Sequence, residues 1–213
     1  MKIKLKKKIF NFLQYYSWVC LVIFILSFTS WYLILNAIDS VKQYEKIQIF
    51  SSCYGLKNKK FSDELREYLK DDKVLEIDTY TYNPYDSNIS KYYDKFGYSS
   101  DLVILREQDL LDMKETVSIN YLPIDDEYLK YITSNNLDYF AYESKNYGIE
   151  IYNHSKDELE FENLFEFKVE NKTDNYYLMI NNSSINIGKY SQYSQTDNAL
   201  KTLEYLFDIY GEK

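Results

Sequence analysis

Thirty consecutive residues, Ile9 to Ile38, carry no charged side chain, and Lys2, Lys4, Lys6, Lys7 and Lys8 stand immediately before them. A bilayer core about 30 Å thick needs roughly 20 apolar residues in a helix, and Tyr15 to Ile38 supplies them with room for tilt. The reading is one transmembrane helix, residues 15–38, behind a basic segment, residues 1–14. Lysines crowd the amino end and Asp39 is the first charge beyond the helix, so the positive-inside rule places the N-terminus in the cytoplasm and everything after Asp39 outside the cell membrane. Tyr15, Tyr16 and Trp18 near one end, with Trp31 and Tyr32 near the other, sit where interfacial aromatics belong. A cleaved signal peptide is the competing reading, but its apolar core runs only about 7 to 15 residues and ends in a pair of small residues. Here Asn36-Ala37-Ile38-Asp39 follows the run, and Cys20 follows Ser17-Trp18-Val19 rather than a lipidation-type small-residue box.

Residues 39–45 form a short link, and residues 46–213 are enough for one domain with a real core but not for two. All 33 acidic residues lie beyond Ile38, while five of the 25 basic ones precede it, so the outer part carries an excess of 13 negative charges. No nucleic-acid partner is expected, because phosphate neutralisation needs a basic face. Two cysteines, Cys20 in the apolar run and Cys53 outside it, cannot build a disulfide framework in the outer domain, which must hold by its core. The 25 tyrosines and 12 phenylalanines accompany many Asn, Ile and Lys residues, a bias expected of AT-rich coding, so aromatic abundance is no sign of sugar binding.

Lys46 to Ser52 alternates apolar and polar residues and runs into the turn residues Cys53-Tyr54-Gly55, which reads as a strand and a loop. Ser62 is placed to cap a helix with Asp63 and Glu64 in its first turn and Leu65, Tyr68 and Leu69 on one stripe. Val74 to Thr81 reads as a second strand. Ile89, Tyr92, Tyr93 and Phe96 repeat at helical spacing up to Gly97, and Asp101 to Leu105 is a short apolar run suited to a strand buried on both faces. Strands alternating with helices imply a parallel sheet. Beyond it the pattern predicts helical turns over Gln108 to Lys114, a strand over Ser118 to Leu122, a helix over Asp125 to Ser134 and a strand over Gly148 to Tyr152. A hairpin pairing Phe161 to Glu170 with Tyr176 to Asn181 is expected next, followed by a closing helix over Asp197 to Tyr210. The fold class is α/β: an N-terminal transmembrane helix followed by one mixed-sheet domain.

Catalytic vocabulary is sparse. His154, the only histidine, lies in a polar loop, so neither a His-rich metal site nor a Ser-His-Asp triad can be built without it. The hydrolase elbow, phosphate-loop and dinucleotide fingerprints are missing. Asp71-Asp72 ends a helix and Asp125-Asp126-Glu127 begins one, where adjacent acids are common for dipole reasons alone, and no EF-hand spacing exists. Asn-x-Ser/Thr triplets at Asn88, Asn153, Asn171, Asn181 and Asn182 follow from the abundance of Asn. No enzyme, cofactor, metal site or catalytic residue is expected. In an open α/β sheet ligands gather beyond the carboxyl ends of parallel strands. Those loops hold Ser51, Ser52 and Tyr54 after the first strand, Tyr80, Tyr82 and Asn83 after the second, and Arg106 and Glu107 after the third, a set suited to a small polar solute or peptide.

The basic amino end and apolar segment, the strand Lys46 to Ser52 with its Ser-rich exit, the Asp101-Leu102-Val103-Ile104-Leu105 strand and the stretch Tyr176 to Leu206 together resemble extracellular solute-binding proteins of ABC importers, of the type 2 periplasmic-binding fold. In that family an Asn-Ser-rich strand exit leads to a final helix like the one carrying Asp197, Ala199, Leu200, Leu203 and Leu206. Members have two lobes, whereas this outer region has room for about one. The resemblance implies a bacterial, single-lobed, membrane-anchored solute-binding-like domain that binds a small polar solute or serves as accessory to an importer permease or another membrane protein. The alternative is a bitopic scaffold or sensor-type interaction protein with no small-molecule ligand.

Overall fold

The structure, a computed structural model, describes residues 2–52, 60–125, 128, 130–132, 137–161, 164 and 173–211. It divides into two units, Met1–Val41 and Lys42–Lys213. The first is a single helix, α1 (Lys2–Asp39). Within it Gln14–Asn36 is long and apolar enough to cross a membrane. At about 1.5 Å per residue those 23 residues extend about 34 Å. Apolar side chains from Phe10 to Leu35 are exposed all round this helix, and Thr29 satisfies its hydroxyl by donating to the carbonyl of Ile25 at 2.7 Å.

The second unit is a mixed sheet between two layers of helix. Its strands are β1 (Lys46–Ser51), β2 (Glu76–Thr81), β3 (Leu102–Arg106), β4 (Tyr139–Tyr142), β5 (Lys145–Asn153), the two-residue β6 (Glu158–Leu159) and β7 (Tyr176–Ile180). The order is β2-β1-β3-β7-β5-β4, with β6 beside β5. β1 runs parallel to β2 with Lys46 opposite Glu76, and parallel to β3 with Ile49 opposite Leu102. β7 is antiparallel to β3 and to β5, and β4 and β5 form an antiparallel hairpin.

Period-two alternation sends alternate residues of each strand to opposite layers. Ile47, Ile49, Leu102, Ile104, Leu178 and Ile149 face a core closed by Phe61, Leu65 and Leu69 of the α2 (Phe61–Tyr68) segment and by Leu200, Leu203 and Leu206 of α6, which spans Asn198–Tyr210. Phe50, Val103, Leu105, Tyr177 and Met179 face the other core. That layer is built from α3 (Ile89–Tyr92) and the π-helical turn Tyr93–Gly97 that continues it, α4 (Glu107–Asp112) and α5 (Lys114–Asn120), which contribute Tyr93, Leu110 and Val117. β3 and β7 lie mid-sheet and are buried on both faces, which is why they read as unbroken apolar runs.

The parallel trio and the closing helix stand as expected, and four readings are corrected. Ser118 to Leu122 is not a strand: helix α5 runs through Asn120, and Val117 and Tyr121, four residues apart, both enter the second core. Tyr176 to Asn181 does not pair with Phe161 to Glu170, because both edges of β7 are taken by β3 and β5. Ser62 lies inside α2, whose N-cap position is Lys60 and has no side-chain cap. The second strand begins at Glu76, with Val74 buried just ahead of it. Glycine stands at position 97, the last residue of the π-helical turn, for want of space: a Cβ there would stand 2.3 Å from Cδ2 of Tyr93. Of the expected Asp125 to Ser134 helix and Phe161 to Glu170 strand, most residues lie outside the described ones. Among those described, Tyr128, Ile132, Phe161 and Leu164 are buried in the first core.

Candidate functional site

Ser51 and Ser52 at the end of β1 and the residues that follow β2 and β3 lie at the carboxyl ends of the parallel strands, and their polar groups are largely engaged within the domain. Ser51 and Ser52 are buried. Ser52 donates to the Ile104 carbonyl from its backbone N–H at 2.9 Å and from Oγ at 3.1 Å, and the Ser51 carbonyl accepts the Tyr82 N–H at 2.9 Å. The two serines thus tie the end of β1 to β3 and to the exit of β2. Tyr54 and Cys53 lie outside the described residues. Tyr80 donates its hydroxyl to Asp78 at 2.8 Å and stacks on Phe96 with ring centroids 4.4 Å apart. Tyr82 stacks on Tyr92 at 4.1 Å and on Phe50 at 5.7 Å. Desolvation by these neighbours raises the pKa of both tyrosines. Asn83 is exposed and accepts the Tyr85 N–H at 3.0 Å, closing the turn after β2.

Arg106 and Glu107 engage α4 and the segment before β7. Arg106 forms a bidentate pair with Asp109, at 3.0 Å from Nε and 2.6 Å from Nη2, its side chain 15% exposed and that of Asp109 18%. Its third nitrogen lies 3.6 Å from Asp174, and its guanidinium stands 5.0 Å from the centre of the Tyr85 ring. These contacts, Asp109 first among them, hold the Arg106 pKa above its ordinary value. Glu107 accepts the Asn175 side-chain amide at 3.0 Å and donates its N–H to the Asn175 carbonyl at 2.9 Å.

Beside this network an open cavity of about 240 Å³ enters the second core layer. Its floor is Phe50 of β1 and Leu105 of β3, each the penultimate residue of its strand. Its walls are Ile89 and Tyr93 on one side and Met113 on the other, from the segments that follow β2 and β3. Ser90, Asp94, Asp109 and Asp112 complete the lining, so Asp109 joins the Arg106 network to the cavity. Behind the wall, Tyr93 and Tyr121 share a buried hydroxyl-hydroxyl hydrogen bond, and burial pushes the Tyr93 phenol up to about 12.

At the opposite, amino ends of β1 and β3 lies a polar pocket of about 160 Å³ around Asp101. Asp101 is 5% exposed. Its Oδ2 accepts the Gln48 N–H at 2.8 Å, and its Oδ1 accepts Ser184 Oγ at 2.5 Å and Asn186 Nδ2 at 3.0 Å. Asn186 Nδ2 also reaches the Lys46 carbonyl at 3.0 Å, while Thr196 donates to Asn186 Oδ1 at 2.7 Å. Burial raises the Asp101 pKa against the pull of these donors. The cluster fastens the exit of β7 to the starts of β1 and β3. In sequence it shows only as an acid before an apolar run and as the Asn-Ser-rich exit Asn181 to Asn186.

His154 is exposed, in the turn after β5, and its N–H donates to the Asn175 side chain at 2.8 Å. No cluster of three or more His, Cys, Asp or Glu side chains suited to a metal ion occurs among the described residues. Compared with protein-family models, with curated proteins and with solved structures, the chain matches none.

Proposed function

We propose that this chain is a membrane-anchored binding domain of solute-binding type: α1 spans a bilayer with its lysines on the cytoplasmic side, and the acidic α/β domain outside holds a small ligand at the carboxyl ends of its parallel strands. The observation that carries the reading is the cavity of about 240 Å³ lined by Phe50 and Leu105 at those strand ends and by the segments following β2 and β3, where open α/β sheets hold their ligands. The anchor is supported by the exposed apolar surface all round α1, which has no core of its own to cover it. Such a domain can present its ligand to an importer permease or another membrane protein in the same bilayer.

A second reading, a scaffold or sensor module without a small ligand, is favoured by one observation. Tyr80, Tyr82, Arg106 and Glu107 already have partners within the domain. Thermal denaturation of the detergent-solubilised chain against sugars, amino acids, peptides and amines separates the two, since a ligand that binds only the folded state raises the midpoint in proportion to its excess over Kd. A reproducible rise for one class supports the binding reading. No rise across the panel, together with co-purification of a membrane protein, supports the scaffold. For the anchor, protease added to intact cells is expected to degrade the acidic domain and spare the lysine-rich end; a protected domain, or its recovery as a processed soluble species, refutes the topology.

A further inference from the structure

We infer that the cavity beside α3 and α4 selects a small organic cation: a ring-sized apolar group carrying a protonated amine. The inference rests on the binding reading above and names its ligand class. About 150 Å³ of apolar cavity accommodates one benzene ring, so about 240 Å³ admits a ring with a two- or three-carbon tail and little more. Phe50, Leu105 and Met113 give that ring an apolar seat.

Charge decides the rest. The lining holds three carboxylates and no basic side chain. Asp109 is neutralised by its bidentate pair with Arg106. Asp112 takes one hydrogen bond, from Gln108 Nε2 to Oδ1 at 2.8 Å, and keeps its other oxygen available. Asp94 has no hydrogen bond or ion pair from its side chain among the described residues. Two uncompensated carboxylates therefore border an apolar floor, in a domain that already carries an excess of negative charge. A ligand with a carboxylate or phosphate is repelled, a neutral one gains only the floor, and an ammonium gains both.

The test uses the full chain in phosphatidylcholine nanodiscs, with empty discs as the partition control. Saturation-transfer NMR and calorimetry compare 2-phenylethylamine, 2-phenylethanol and 3-phenylpropanoate, which share the ring and differ in charge. The amine is expected to bind about fivefold or more tightly than the alcohol, about 1 kcal/mol of added attraction, with the gap closing as salt is raised. The acid is expected not to bind. Asp94→Asn with Asp112→Asn, both at exposed positions, brings the amine to the level of the alcohol, and Ser90→Trp at the mouth removes both. An alcohol that binds as tightly as the amine, or a preference that survives the double substitution, overturns the inference while leaving the cavity a binding site. Failure of all three compounds in the unaltered chain overturns the cavity as a site for any such ligand.

Discussion

Replacing Asp101 by alanine tests the joint that holds the two ends of the fold together. The substitution removes one acceptor from three donors: the Gln48 N–H, Ser184 Oγ and Asn186 Nδ2. A buried donor left without an acceptor costs about 1–3 kcal/mol, but removing the carboxylate also relieves the penalty of burying a charge, and Asn186 keeps its bond to the Lys46 carbonyl. The net expectation is a loss of about 3 kcal/mol. For a domain of this size that lowers the midpoint by about 6–12 °C, read by circular dichroism on the fragment Lys42–Lys213. The pH dependence is a separate check. Burial raises the Asp101 pKa, so the folded state binds this proton more readily than the unfolded chain does. This group's contribution to stability therefore falls as pH rises through the ordinary aspartate range, and it is level above the folded value. Alanine cannot titrate, so the stability gap between the unaltered protein and the variant should widen as pH is lowered from 7 toward 4. A gap that narrows toward acid would show that the three donors outweigh burial, and an unchanged midpoint would show that the cluster carries no load.

Three further expectations follow from the packing. Leu203→Ala empties a fully buried position between α6 and the sheet and should cost about 2–5 kcal/mol in denaturant melts, with little change in the slope. Gly148→Ala places a methyl 2.4 Å from Met179 Sδ and 3.0 Å from Tyr177 Cβ, and should destabilise by about 1–3 kcal/mol even though alanine is otherwise tolerated in strands; a neutral result would mean that Met179 swings clear. In an ultraviolet titration Tyr93 should ionise near 12, and Tyr121→Phe, which removes its hydroxyl partner, should cost about 1 kcal/mol and move that step.

The parallel half of the sheet is legible in sequence because local pattern and tertiary role agree there. β1 alternates because one of its faces is more fully buried, β3 is continuously apolar because both are, and the closing helix shows its stripe of Ala199, Leu203 and Leu206. Ser118 to Leu122 misleads because the same residues satisfy two periods. Ile119 has the composition of a strand residue but faces solvent at 67% exposure, while the i, i+4 pair Val117 and Tyr121 makes the buried contact. The β4–β5 hairpin hides for a different reason: β4 is four residues long, and its register to β5 shifts between Phe140 and Ala141, so no clean alternation survives. Among the proposed site residues, position along the strands gave the end of the sheet at which the described ones lie. It could not show that Arg106 would close on Asp109 three residues later, nor that Ile89 and Met113, unremarkable in sequence, would wall a cavity.

Among the described residues β7 is the last strand and the only one that touches both halves of the sheet, β3 on one side and β5 on the other. Until Tyr176 to Ile180 is in hand, the three parallel strands and the hairpin are separate pieces, each with an open hydrogen-bonding edge. A chain delivered amino end first therefore cannot complete its sheet until Ile180 has emerged, and a chain stopped before Tyr176 would leave two sticky edges rather than a smaller version of the domain.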